Sequence, residues 1–250
     1  MANIVLAHGF LGYGQLPLLP VNYFNGIKAL FESKGHKVVA PSVSPLGALA
    51  LRSEQLAPQI EQAFPGNSDI YVIGHSMGGL DTRRVIAQYP VGKRIKKLIT
   101  VATPHLGSPV ADAVLSSIHP LNRAIPTWLR AALRNDAGAL KDLCTRPTPQ
   151  DVDCPWVTYM EVVCTIPATE KASAVFQLAQ AIGELDGPND GVVALTSARY
   201  PGREPVRYWK LDHGEAIGWP STQLGWGTSV AAFFPPKGHE ARYLDLLTLL

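Results

Sequence analysis

Residues 69–79 read Asp-Ile-Tyr-Val-Ile-Gly-His-Ser-Met-Gly-Gly, and no other run constrains the fold as much. The apolar stretch that ends at Gly74 predicts a buried strand. Gly74-His75-Ser76-Met77-Gly78 fits the pattern G-x-S-x-G, and residues 78–89 carry helical spacing that stops before Pro90. A serine on a sharp strand-to-helix turn takes strained backbone angles. Side chains two residues to either side of it would strike neighbouring backbone, which is why glycine flanks it. The turn lifts the hydroxyl above the end of a sheet. It also sets the next helix N-terminus beneath any negative charge that develops there. Ser76 is therefore the candidate nucleophile, and the chain must build a sheet whose strands alternate with helices.

The remaining sequence keeps that rhythm. Short apolar runs predict strands at 3–7, 37–40, 95–102, 156–164, 191–195 and 205–211. Helical spacing falls at 22–34, closed by Gly35, then at 48–63, near 170–183 and toward the C-terminus. Such alternation predicts an α/β fold, a mostly parallel central sheet with helices on both faces. With 46% hydrophobic residues, the 250-residue chain can bury one large core, so a single domain over 1–250 is expected.

Residues 109–155 break the rhythm and read as a small helical lid or cap insertion. Within them Leu121, Ala124, Ile125, Trp128, Leu129, Ala132 and Leu133 share one helical face, away from Arg123, Thr127, Arg130 and Arg134. That helix either packs on the core or covers an apolar site and opens at a lipid surface.

A net charge of +2 gives no footprint for nucleic acid or for an electrostatic membrane anchor. No apolar run approaches the roughly 18 residues of a membrane span. Met1–Gly9 lacks a basic leader and reads as a first strand. A cytoplasmic location is expected on that basis, with export lacking a recognisable signal as the alternative. The three cysteines are Cys144, Cys154 and Cys164, so at least one thiol is free. Cys144 and Cys154 flank a Pro-rich loop that an oxidising compartment would allow to be bridged.

A serine hydroxyl needs a base, and the base needs an acid to orient it. On an elbow of this kind the chain order runs serine, acid, histidine. Of seven histidines only His213 and His239 come late enough, and His213 directly follows the last sheet-like segment. His8, His75 and His105 sit in loop motifs where the ring holds backbone. For the acid, Asp190 in Asn189-Asp190-Gly191-Val192-Val193 leads, with Asp186 as runner-up. Backbone N–H groups must receive the oxyanion. The first is expected from Met77, after the nucleophile, and the second from Phe10 in the loop His8-Gly9-Phe10-Leu11-Gly12.

Together these residues resemble the bacterial true lipases, the triacylglycerol lipases of the Pseudomonas, Burkholderia and Proteus group, within the α/β-hydrolase superfamily. The likeness spans most of the chain. It rests on His8-Gly9-Phe10, Asn22-Tyr23-Phe24, Gly74–Gly79, Thr103-Pro104-His105-Leu106-Gly107-Ser108, Asn189–Val193 and Asp212-His213-Gly214-Glu215. It implies a triad of Ser76, Asp190 and His213, with Phe10 and Met77 as oxyanion donors. The expected activity is hydrolysis of carboxylic esters, as a lipase or carboxylesterase, through an acyl-enzyme on Ser76. Amidase, thioesterase or polyester depolymerase activity with the same triad is the alternative, as is a non-catalytic lipid-binding relative. An apolar pocket is expected to take the acyl chain, lined by Leu11, Trp128 and Leu129. The partner is an ester or lipid substrate, met in transient contact with a lipid interface. No cofactor is required for such chemistry. Relatives with a structural calcium place an acidic ligand where Glu215 stands, which makes Glu215 the candidate calcium ligand.

Overall fold

The structure is a computed structural model that describes residues 1–12, 22–116, 127, 131, 133, 135–167, 177, 180, 187–219 and 238–250. Among these residues six strands form one parallel sheet: β1 (Asn3–Ala7), β2 (Lys37–Val39), β3 (Ile70–His75), β4 (Ile95–Val101), β5 (Thr158–Cys164) and β6 (Arg207–Trp209). Their order is β2-β1-β3-β4-β5-β6, and every neighbouring pair runs parallel. Between them lie α1 (Ile27–Ser33), α2 (Leu49–Ala63), α3 (Met77–Gln88), α4 (Pro109–Leu115), α5 (Gly138–Leu143) and α6 (Leu195–Ala198), and α7 (His239–Leu247) follows β6.

Strand side chains alternate between faces, and both faces are covered. Ile4, Leu6, Ile73, Ile99 and Val101 pack with Phe24, Ile27 and Phe31 around α1 and with Tyr243 and Leu246 of α7. Val5, Ala7, Ile70, Val72 and Leu98 pack with Leu56 and Ile60 of α2 and with Val85 and Ile86 of α3. Burial on both sides explains why the strand sequences read as almost unbroken apolar runs. A third apolar cluster joins Leu49, Met77 and Leu80 to Ala111 of α4 and to Leu140 and Leu143 of α5, with Phe10 and Leu133 against it.

Two expectations need correction. The 22–34 helix begins only at Ile27, because Gly26 adopts φ 74° at its N-cap and the Asn25 amide is committed to the Ile217 carbonyl at 3.0 Å. The strand expected at 191–195 does not form. Asp190 Oδ1 accepts the Val192 and Val193 N–H groups at 2.9 and 2.7 Å, taking the donors that a ladder needs. Only a lone bridge from Asn189 to Ala194 remains, and the chain turns into α6. Of the 121–133 helix, Thr127, Ala131 and Leu133 are described and helical; Trp128 and Leu129 lie outside the described residues.

Candidate active site

Open parallel sheets bind ligands beyond the carboxyl ends of their strands, where the strand order reverses. Here the chain passes from β1 outward to β2 and returns to β3 on the other side of β1. The crevice therefore opens where β1 runs into His8-Gly9-Phe10 and β3 runs into Ser76.

Ser76 is buried and adopts φ 54°, ψ −131°, a region L-residues avoid. Such strain costs about 1–3 kcal/mol and persists only where neighbours impose it. Its N–H donates to the Val101 carbonyl at 2.9 Å, and its carbonyl accepts from the Gly79 N–H at 3.1 Å and the Thr103 hydroxyl at 2.9 Å. Thr103 opens the Thr-Pro-His segment, so that motif serves to pin the elbow. The flanking glycines answer the crowding expected of them. A Cβ on Gly74 would sit 2.8 Å from Gly79 Cα, and one on Gly78 would strike the Ala7 carbonyl.

Asp190 and His213 meet. His213 Nδ1 lies 2.7 Å from Asp190 Oδ2, and the His213 amide donates to the Asp190 carbonyl at 2.9 Å. Both side chains are buried. A carboxylate can only accept, so the ring proton sits on Nδ1 and leaves Nε2 as the basic nitrogen. The His213 ring is 4.5 Å, between centroids, from that of His75, which directly precedes Ser76. His239, the other late histidine, is occupied elsewhere. Its Nε2 donates to the Asn25 carbonyl at 3.0 Å and its ring packs on Tyr243. Asp186 lies outside the described residues.

The loop after β1 is fixed from below by a residue that spacing did not single out. Arg52, on α2, is fully buried and forks onto Asp81 of α3 with distances of 2.7–3.1 Å. Its remaining donors reach the Ser44 carbonyl at 2.7 Å, the His8 carbonyl at 2.9 Å and the Gly9 carbonyl at 3.4 Å. His8 adds a second clamp. Its Nε2 accepts the Val43 N–H at 3.1 Å, so its Nδ1–H donates to the Gly9 carbonyl at 2.9 Å. In a trans peptide the carbonyl and the next N–H point opposite ways. Pinning the Gly9 carbonyl downward therefore aims the Phe10 N–H away from Arg52. Leu11 and Gly12 spend their N–H groups on Pro45 and Gly9, while the Phe10 N–H has no partner among the described residues. Met77 is the first residue of α3, so its N–H has no carbonyl one turn back to bond. Leu11 stands on the rim, 36% exposed.

Glu215 is engaged within its own turn. Its carboxylate accepts the Asp212 N–H at 3.1 Å, while Asp212 Oδ1 accepts the Gly214 and Glu215 N–H groups at 2.9 and 2.8 Å. The pair caps a short 3₁₀ turn. Among the described residues no group of three or more His, Cys, Asp or Glu gathers to hold a metal, and six or more oxygens are needed for calcium. Cys144, Cys154 and Cys164 are all free thiols. No helix among the described residues is long and apolar enough to cross a membrane.

Burial holds His8 and His239 down to about 4, and His75 and His105 well below 6.5. Burial pushes Asp81 up to about 6 against the pull of Arg52, and raises Glu161. The signs oppose each other. Between about pH 4 and 6.5 each of the four histidines binds more protons in the unfolded chain, which makes stability rise with pH. The two carboxyl groups bind more protons in the native state, which makes it fall. Four outweigh two, so the unfolding midpoint should drop as pH is lowered from 6.5 toward 4. Thermal melts across that range check this; a flat or rising midpoint on acidification contradicts it.

The comparisons with known proteins agree with this architecture. A protein-family profile described as a PGAP1-like alpha/beta domain matches residues 50–143. Over 214 residues the chain is 28% identical to a triacylglycerol lipase 2 of Saccharomyces cerevisiae, covering 81% of this chain and 64% of that one. It is 32% identical over 146 residues to triacylglycerol lipases of Pseudarthrobacter phenanthrenivorans and Burkholderia plantarii. That match covers 55% of this chain and 44% and 39% of those relatives, so the chain spans well under their full lengths. Among solved structures, a mature Bacillus licheniformis lipase superimposes with a TM-score of 0.65 at 21% identity, covering 86% of each chain. A metagenomic carboxyl esterase superimposes with a TM-score of 0.65 at 20% identity, covering 98% of this chain and 76% of that one. The chain has the α/β-hydrolase fold. The sequence relatives named above are triacylglycerol lipases.

Proposed function

We propose that the chain hydrolyses carboxylic esters, as a lipase or carboxylesterase, through an acyl-enzyme on Ser76. The observation that carries this reading is the buried Asp190–His213 pair at 2.7 Å, at the same end of the sheet as the strained Ser76 elbow. His213 Nε2 takes the Ser76 proton as the hydroxyl attacks the ester carbonyl, then returns it to the leaving alcohol. Water activated by the same nitrogen cleaves the acyl-enzyme, and Asp190 stabilises the imidazolium in both halves. Phe10 and Met77 N–H groups receive the oxyanion, each worth about 10²-fold in rate. The apolar cluster around Met77, Leu49, Leu140 and Leu143 adjoins Phe10 and receives the acyl chain. The names of the sequence relatives favour a lipid ester as substrate.

The test is covalent labelling with a nitrophenyl phosphonate ester, mapped by mass spectrometry. Exclusive modification of Ser76, with esters cleaved faster than matched amides across a chain-length series, is the expected result. Folded protein that resists the probe, or carries it elsewhere, overturns the proposal.

The same reading gives Arg52 a measurable part. Arg52→Met strands a buried carboxyl at Asp81, costing about 3–5 kcal/mol and lowering the melting point by on the order of 10 °C. Arg52→Met combined with Asp81→Leu should regain most of that stability. Its kcat should stay depressed, by up to about 100-fold, because the loop then loses the Arg52 bonds to the Ser44, His8 and Gly9 carbonyls and keeps only the His8 clamp on Gly9. Full recovery of kcat in the double variant would show that Arg52 acts on stability alone.

A further inference from the structure

Tyr23 precedes α1 and is used by neither the elbow nor the Asp190–His213 pair. Its ring lies among those of His8, Phe24 and His75, with centroids 5.6, 5.4 and 5.7 Å away. Its hydroxyl is 2.8 Å from His75 Nδ1. A Cβ on Gly9 would fall 2.7 Å from that hydroxyl and 2.7 Å from Ser76 Cβ. The phenol oxygen, the nucleophile's own carbon and the loop that carries Phe10 thus meet with no room for a methyl group. On its far side the His75 ring lies against the ring of His213. One phenol–imidazole pair, with Tyr23 partly and His75 fully buried, therefore touches three segments that must keep register: the loop after β1, the elbow and the histidine loop.

Both partners of this hydrogen bond are neutral. Burial pushes the Tyr23 phenol far up, so it keeps its proton. Burial keeps His75 well below its ordinary value, so the ring is neutral and one nitrogen is an acceptor. His75 Nε2 forms no hydrogen bond among the described residues. In the proposed arrangement the phenol O–H donates to Nδ1 and the ring proton rests on Nε2.

We infer that Tyr23 and His75 are positioning residues for the proposed hydrolysis, their O–H···Nδ1 bond holding the Phe10 loop and His213 in register with Ser76. The pair acts only through its neighbours and touches no reacting atom. This rests on the triad reading above, and a plain packing role for the same rings predicts different results.

Tyr23→Phe removes the hydroxyl and leaves the ring. Positioning predicts that kcat falls roughly ten-fold, the worth of about one buried hydrogen bond, with KM changed by less than about two-fold. The rate of phosphonate labelling at Ser76 should fall in parallel. Packing alone predicts wild-type kcat in the folded variant. His75→Asn keeps an acceptor where Nδ1 stood and should retain more kcat than the apolar His75→Leu. Tyr23→Phe joined to His75→Leu should lose no more than His75→Leu alone, because both remove the same bond.

Nitrogen-15 NMR of the wild-type imidazoles supplies a readout free of mutation, with an unprotonated Nδ1 and a protonated Nε2 expected for His75. Wild-type kcat in folded Tyr23→Phe, equal losses in His75→Asn and His75→Leu, or a protonated Nδ1 overturns the inference while leaving the triad standing. Absence of labelling at Ser76 in the wild-type protein overturns both.

Discussion

Ser76→Ala should lower ester turnover by about 10⁶-fold, the loss seen when the nucleophile of a serine hydrolase is removed. That is about 8 kcal/mol of transition-state stabilisation, far beyond any packing effect. The fold should be nearly indifferent, since the hydroxyl is absent from the contacts that pin the elbow. Those contacts run through the backbone: the Ser76 N–H to Val101, and the Ser76 carbonyl to Gly79 and Thr103. Alanine inherits the φ of 54° with its strain. Ser76→Gly supplies an internal control. It should be as inactive as Ser76→Ala yet melt higher, because glycine accepts a positive φ without the roughly 1–3 kcal/mol penalty. A hydrolysis assay with a nitrophenyl ester and a thermal melt on both variants check the two halves. Retained turnover in either variant contradicts the nucleophile assignment.

Asp190→Asn should cost about 10⁴-fold in kcat without unfolding the protein. The effect is large because of which oxygen is already spoken for. Oδ1 accepts the Val192 and Val193 N–H groups, so an asparagine must put its carbonyl there. Its NH₂ is then forced onto the His213 side, where Oδ2 stood 2.7 Å from Nδ1. A donor facing Nδ1 drives the imidazole proton to Nε2 and removes the lone pair that must take the serine proton. Activity within about ten-fold of wild type would mean that another acid orients His213.

Much of this site was legible because its signals are local. The glycines around Ser76, the Asn-Asp-Gly turn and the histidine after the last strand each announce themselves within a few residues. Arg52 did not, because an arginine in a 15-residue helix reads as solvated until Asp81 is known to face it. A hint existed on the other side. Met77, Asp81 and Val85 recur at i, i+4 along α3, so the acid falls on a core-facing stripe and demands a buried cation. Thr103 and Tyr23 stood out only as members of motifs that carry the resemblance, and their contacts stayed hidden because their partners lie 27 and 52 residues away. The misread strand at 191–195 has the same origin. Gly-Val-Val-Ala-Leu is apolar enough for a sheet, but a single side-chain oxygen intercepts its amides. The part Glu215 plays in the turn was hidden in the same way, since its carboxylate and that of Asp212 bond to backbone N–H groups of their own loop.

The strand order divides the labour of the site unequally. Ser76 and the Phe10 loop hang from β3 and β1, which are flanked on both sides by paired strands. His213 follows β6, which has three residues, pairs only with β5 and ends the sheet among the described strands. Partial fraying of that margin would strip the proton carrier while the covalent half stayed in place. In the proposed reaction the second half needs the same imidazole, so a molecule caught fraying in mid-cycle would retain its acyl group. Heat inactivation would then begin as arrested turnover, with the centre of the sheet still intact and able to resume once the margin closes.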